Sequence, residues 1–363
     1  MKKFTKMWAI AACALFAGTA AVNAEDYTWK FVTAGDATTY AIRSDGSLWS
    51  WGWNEKGQGG NGVSERTATP TLADGNRVWK KAVGGKAYGF FLAEDGSLWA
   101  AGTHEGGVQG TNDGIDHKVL TRIGTDNDWA DMACSRFWGY SGFAIKTNGT
   151  LWAWGKNSAG QLGIGNTQAQ TAPVQVGADM DWKQVAAGCS SVLALKTDGS
   201  LWGWGFNMYS ELFGHEGKQL SPVRLGSETD WEQVVVIDFR AYAVKKDGTL
   251  WAWGDNANNL LGFNTPTEEE TTAEGNPVEV VTVPQITAPT HVTSIEGKVL
   301  TISGCENTLS VATGTDGVIE KVWMLGSNTD GALGDGKGLG NGNKDIPFAK
   351  VPVHPSLKLS LIH

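Results

Sequence analysis

The phrase Asp-Gly-Ser/Thr-Leu-Trp occurs at Asp45–Trp49, Asp95–Trp99, Asp198–Trp202 and Asp247–Trp251, and Asn148–Trp152 repeats it with Asn in first place. Successive starts lie 50, 53, 50 and 49 residues apart. A sixth, eroded copy is Asp316-Gly317 followed by Trp323-Met324-Leu325-Gly326, and it starts 69 residues after the fifth. Upstream of each phrase stands a second anchor. Trp29, Trp79, Trp129, Trp182 and Trp231 open short apolar segments, and Lys298 takes that place in the sixth copy. A period near 50 residues means that each unit is a small supersecondary structure, able to bury its apolar faces only against its neighbours.

Each unit reads as four strands. The anchor Trp opens the first, which ends near Gly35, Gly85, Gly188 or Gly304. A second strand such as Leu193-Ala194-Leu195-Lys196 follows, and Asp-Gly then turns the chain tightly because these residues tolerate positive φ cheaply. The third carries Leu-Trp-x-Trp-Gly, whose period of two puts both indoles on one face. Turns such as Asn157-Ser158-Ala159-Gly160 lead to a fourth strand such as Ala172–Val176. Four short antiparallel strands per repeat make a β-propeller blade. The expectation is an all-β chain forming a single propeller of six blades, seven being the alternative. The blades fall at about 29–78, 79–128, 129–181, 182–230, 231–297 and 298–353. Extra length at 264–297 reads as a solvated loop around Glu268-Glu269-Glu270, with Val278 to Val283 expected as the fifth blade's outer strand. In residues 354–363, Ser356–Leu361 alternates like a strand and could latch the ring shut.

Trp154-Gly155, Asn157 and Gly160-Gln161-Leu162-Gly163, with Trp51-Gly52-Trp53-Asn54 and Gly57-Gln58, resemble the regulator-of-chromosome-condensation repeat family. The resemblance extends over roughly residues 29–350. It loosens where His104 replaces the Asn and where Ser210 and Asn259 replace a Gly. The resemblance implies a β-propeller, commonly of seven blades.

The first 24 residues are a separate object. Lys2, Lys3 and Lys6 precede an apolar and small-residue run, and Val22-Asn23-Ala24 offers a cleavage site. This predicts a secretory signal and an exported protein: periplasmic, cell-surface or extracellular. Lipid anchoring at Cys13 is the lesser alternative, because only six residues separate it from Lys6. No later run is long enough for a transmembrane helix. Without the leader, 29 basic residues fall to 26 against 38 acidic ones, a net charge of −12. Such a chain is poorly suited to nucleic acid, whose affinity depends on clustered Lys and Arg. It is equally far from the guanine-nucleotide exchange of the family's nuclear member. Three cysteines spread as Cys134, Cys189 and Cys305 are not a disulfide framework.

Function is read where the repeat breaks. Fifteen of the 18 tryptophans occupy repeat positions and belong to the core. Trp138 does not. It lies in Arg136-Phe137-Trp138-Gly139-Tyr140, three residues longer than the same connection in other units. Its counterparts are Asp36 to Thr39, Lys86 to Tyr88, Cys189 to Ser191, Asp238-Phe239-Arg240 and Glu306-Asn307, which a propeller gathers on one channel face. Arg, Trp and Tyr are enriched at binding hot spots. The candidate partner-binding residues are therefore Lys86, Tyr88, Arg136, Phe137, Trp138, Tyr140, Asp238, Phe239 and Arg240. The expected function is non-catalytic binding of a protein partner by a monomer. A glycan-binding propeller is the alternative, and a propeller lyase or hydrolase a more distant one. No cofactor is implied, and the histidines share no metal-ligand spacing.

Overall fold

The computed structural model describes residues 28–136, 139–257, 260–262, 269–271, 277–279, 285–305, 308–326 and 349–351. They form six antiparallel sheets of four strands each, built from consecutive strands in every case but the fifth, where a two-stranded hairpin intervenes before the outer strand. In the third, Trp129–Cys134, Ser141–Lys146, Leu151–Gly155 and Gln170–Gln175 follow in spatial order. The chain is thus a six-bladed propeller, and no α-helix occurs among the described residues. Residues 1–24, read above as a secretory signal, and residues 354–363, read as a possible latch, lie outside them.

The repeated phrase is one hydrogen-bond relay. Asp198 Oδ1 accepts from the Ser200 amide at 2.8 Å and from its hydroxyl at 2.6 Å, and Ser200 Oγ in turn accepts the Trp202 indole N–H at 2.8 Å. Asn148, Thr150 and Trp152 make the same chain of contacts. The turn glycine is required twice over. Gly149 has φ +82°, and a Cβ there would stand 2.1 Å from the carbonyl oxygen of Met180 in the connection to the next blade.

The indoles then build the blade-to-blade cores. Each anchor Trp meets the Leu-Trp indole of its own blade nearly edge-on, as in Trp129–Trp152 at 6.0 Å and Trp182–Trp202 at 6.0 Å. Lys146, Lys196 and Lys245 lie over both rings of their pairs, 4.5–4.9 Å from the centroids. The second indole of Leu-Trp-x-Trp faces the preceding blade. Trp154, Trp204 and Trp253 donate to the carbonyl oxygens of Val108, Gln161 and Glu211 at 2.7–2.8 Å. The apolar clusters accordingly fall between blades: Leu201 and Leu193 of blade four pack with Trp231 and Trp253 of blade five.

Two local expectations change. The sixth blade's anchor is Val299, one residue after Lys298. Val299 pairs with Thr313 as Trp182 pairs with Lys196, and its amide donates to Gly248 as that of Trp182 does to Gly149. The fifth blade's outer strand is Gln285–His291, not Val278 to Val283. Pro277–Glu279 instead pairs with Glu269–Thr271 as a separate two-stranded hairpin. A short connection from the outer strand to the next anchor holds in every blade, and it selects the later segment.

Candidate functional site

The connections between first and second strands are tight and touch one another in series. Gly35, Gly85 and Gly188 each close a turn by donating to the carbonyl three residues on, at Thr38, Tyr88 and Ser191. In blade three the same bond runs from Ser135 to Ser141, so the connection is longer by the expected three residues. Asp36 N–H reaches Gly85 O at 3.5 Å, the Tyr88 hydroxyl donates to Ser135 O at 2.5 Å, and Cys189 N–H donates to Asp238 O at 3.3 Å. Blades one to three are thereby linked, loop to loop, and so are blades four and five.

Groups from three blades converge at Asp238. Its carboxylate is 3.3 Å from the guanidinium of buried Arg240 and accepts the Cys189 thiol at 3.6 Å. Burial pushes the Asp238 carboxyl above its usual range, opposed by the positive charge of Arg240, the Cys189 contact and the charge of Arg136 from blade three. Asp238 itself has φ +53°, a strained backbone held by this packing. Beside it, the half-exposed ring of Phe239 packs on Tyr209 at 5.0 Å, next to exposed Met208.

Other residues of the sequence-derived set sit differently. Lys86 and Arg136 are half-buried at the surface of the loops. Tyr88 is wholly buried, with its hydroxyl committed to Ser135. Tyr140 is buried under the Lys156 ammonium, 4.2 Å from its ring, and Lys156 pairs with Glu105 at 2.6 Å. Burial and Glu105 push the Tyr140 phenol up to about 12. Phe137, Trp138, Glu306 and Asn307 lie outside the described residues. Tyr209 and Met208 were not among the candidates. Their signal was the departure of Asn207-Met208-Tyr209-Ser210-Glu211 from Asn-x-x-Gly-Gln. That departure also places Glu211 where Gln58 and Gln161 are buried. Its carboxylate accepts from Tyr209 N–H at 2.8 Å and from Ser191 Oγ at 3.4 Å, and burial lifts it to about 7.

Neither Cys134 nor Cys189 is in a disulfide among the described residues. No group of three His, Cys, Asp or Glu side chains there is arranged to hold a metal, and no helix there is long and apolar enough to cross a membrane.

Fold and loop arrangement define a repeat propeller with a loop-built surface. Residues 45–92 and 148–195 match the model of the regulator of chromosome condensation (RCC1) repeat, and residues 29–58 match a second model of that repeat. These stretches are RCC1 repeats, and they lie in blades one to four. Over 163 residues it is 30% identical to the Arabidopsis thaliana ultraviolet-B receptor UVR8, covering 44% of this chain and 37% of the receptor. Over 150 residues it is 27% identical to human protein RCC2, covering 40% and 19%. The matched stretches span well under half the length of these relatives. Among solved structures, human WBSCR16 superposes with a TM-score of 0.72 at 17% identity, covering 90% of this chain and 82% of that one. Saccharomyces cerevisiae Prp20p, described with its binding to Gsp1p and histones, gives 0.71 at 17% identity, covering 90% and 77%. At such identities the likeness speaks for the fold.

Proposed function

We propose that this chain is an exported, monomeric, non-catalytic propeller that binds another protein through the loops joining the first two strands of its blades, around one mouth of the channel. The observation that carries the reading is the convergence on Asp238 of groups from blades three, four and five, with half-exposed Lys86, Arg136 and Phe239 on those loops and Tyr209 packed on Phe239 from a neighbouring turn. Aromatic and Arg side chains of this kind supply most of the energy at protein interfaces. The bonds that tie loop to loop fix them beforehand, so little freedom is lost on binding. Yeast Prp20p is described as binding proteins, and Kap60 is bound to it in another structure. Protein binding is what carries across, not those partners.

Export rests on the basic, apolar and small-residue pattern of residues 1–24. Mass spectrometry of the protein from its source should find Glu25 at the N-terminus. The binding test is a pull-down from the envelope and surroundings of the producing organism. It compares the mature protein with a variant carrying Lys86→Ala, Arg136→Ala and Phe239→Ala. A protein retained by the first and lost by the second, at unchanged melting temperature, supports the reading. The same partners on both would remove these loops as the interface.

A further inference from the structure

The turn that carries Tyr209 departs from its counterparts at two neighbouring positions. Ser210 stands where Gly57 and Gly160 bend the chain, and it keeps their left-handed backbone, at φ +67°. That conformation is unfavourable for a residue with a Cβ, so the turn holds strain. Glu211 follows, wholly buried where Gln58 and Gln161 are buried in blades one and three. Its Oε2 accepts the Tyr209 amide at 2.8 Å and its Oε1 the Ser191 hydroxyl at 3.4 Å. Among the described residues it joins no ion pair. A neutral carboxyl suits this place as a glutamine amide does, one oxygen accepting from Tyr209 N–H while its O–H donates to Ser191 Oγ. A carboxylate is a buried charge without a cation beside it, which a dry interior tolerates badly. Burial accordingly lifts the Glu211 carboxyl to about 7, opposed only in part by these hydrogen bonds.

The contacts of Glu211 close a circuit between two blades. Ser191, which it holds, shares a connection with Cys189, and Cys189 donates its amide to Asp238 O at 3.3 Å and its thiol to the Asp238 carboxylate at 3.6 Å. Asp238 leads to Phe239, whose ring packs on Tyr209 at 5.0 Å, and the Tyr209 amide returns to Glu211. The other charged or titratable groups around the circuit are occupied elsewhere. Asp238 pairs with Arg240 at 3.3 Å and feels Arg136 from blade three. Asp255 accepts from Ala257 N–H, and His215, on the turn itself, faces the carbonyl oxygen of Arg224 at 3.2 Å. The turn is fixed at its ends, where Leu212 N–H donates to Asn207 Oδ1 at 3.0 Å and the Trp253 indole donates to Glu211 O at 2.8 Å. Its tip is not. Met208 is exposed, and Tyr209 and Ser210 are half-buried, so the tip is the part that water can displace to reach the carboxyl.

We propose that Glu211 is a proton-operated clasp on the aromatic platform of blades four and five. With a proton on its carboxyl the tip stays seated and Tyr209 stacks on Phe239. With the proton lost, the tip opens to hydrate the carboxylate, the strain at Ser210 is released and the stack separates. The clasp stands on these contacts alone. Its consequence rests on the reading of the loops as a binding surface: a partner gripped through Phe239 and Tyr209 is held more tightly below neutral pH than above it.

The test is hydrogen exchange of the full chain, read by mass spectrometry on peptides spanning residues 207–213 and 186–192. It is run at about pH 5.5 and about pH 8.5, with the intrinsic pH dependence of exchange divided out. The parent should lose protection in both peptides by about tenfold or more at the higher pH. Glu211→Gln, whose amide fits as Gln58 and Gln161 do, should keep it. Equal protection of the parent at the two pH values, or an equal loss in Glu211→Gln, overturns the clasp. Asp238→Asn separates the neighbouring carboxyl, since asparagine tolerates the left-handed backbone there. The pH dependence should persist in this variant, and its disappearance would move the switch to Asp238 and overturn the assignment. Exchange is measured without a partner, so a pull-down that returns none defeats the binding reading and leaves the clasp to the exchange result. Where a partner is retained, its retention should fall between the two pH values on the parent and hold on Glu211→Gln.

Discussion

Trp204 donates its indole N–H to the carbonyl oxygen of Gln161, 2.8 Å away in the preceding blade and buried from water. The bond is worth more than its length suggests, because without it a backbone oxygen is left unsatisfied in a dry interface. The two indoles of Leu-Trp-x-Trp thus do different work. Trp202, half-buried, bonds within its own turn to Ser200, while Trp204 fastens one blade to the next.

Trp204→Phe is therefore expected to destabilise by about 2–4 kcal/mol, combining lost ring volume with the orphaned carbonyl. Trp202→Phe should cost less than half as much, since water can reach Ser200 once the indole is gone. Chemical denaturation of both variants checks the ranking. Equal costs would mean that the bond between blades contributes nothing beyond packing.

Lys196 sits between Trp182 and Trp202 and pairs with Asp179 at 2.7 Å and Asp181 at 3.0 Å. Burial tends to lower its affinity for the proton, but the two carboxylates prevail and hold the ammonium above its ordinary value of 10.5. A raised lysine contributes stability that is fully present below the unfolded value and is lost as pH rises through the folded one. Lys196→Met fills the same space without charge. It should cost about 1 kcal/mol, the carboxylates being half-exposed and screened. The difference from the parent should hold between pH 6 and about pH 9 and shrink above roughly pH 10.5. A difference that grew at high pH would contradict this cell geometry.

Gly149 and Gly177 separate two reasons for glycine. Both have positive φ, but a Cβ at 149 meets the Met180 carbonyl at 2.1 Å, while at 177 nothing lies within 4 Å. Gly177→Ala should cost about 1 kcal/mol for backbone strain alone. Gly149→Ala should cost at least about 3 kcal/mol, because the next blade must move. Thermal melts of the two single variants measure the gap.

The blades were legible because the repeat is a local code: Asp-Gly, Leu-Trp and the anchor Trp each act within a few residues. What the sequence could not display was the coupling between units. That Ser200 links Asp198 to Trp202, or that Lys196 needs two indoles and two carboxylates, follows from side chains meeting across strands. In the eroded sixth copy the anchor is Val299 and not Lys298, because no Trp marks the position and only strand pairing fixes the register. The loop set was only partly legible for a similar reason. Tyr88 lies in the right connection, yet its ring turns inward, and only packing decides the direction a side chain takes. Tyr209 reaches Phe239 from a different turn, beyond any spacing rule.

Glu211 offers the sharpest pH test. At its repeat position Gln161 is buried, its side-chain oxygen accepting from Ala159 N–H at 2.9 Å, and Glu211 accepts likewise from Tyr209 N–H at 2.8 Å. Glutamine does this without charge, whereas burial lifts the Glu211 carboxyl from 4.5 to about 7. The folded state then holds a proton that the unfolded state releases, so stability falls as pH rises from about 4.5 to about 7 and stays low above. The full penalty is on the order of 3 kcal/mol, and relaxation around the site reduces what is measured. Glu211→Gln should be nearly neutral at pH 5 and stabilise by about 1–3 kcal/mol at pH 8, flattening the pH profile between. Denaturant unfolding of both proteins across that range reads the difference directly. A gain of the same size at both pH values would assign it to packing. A loss at pH 8 would mean that the carboxylate is satisfied by contacts a neutral amide cannot make.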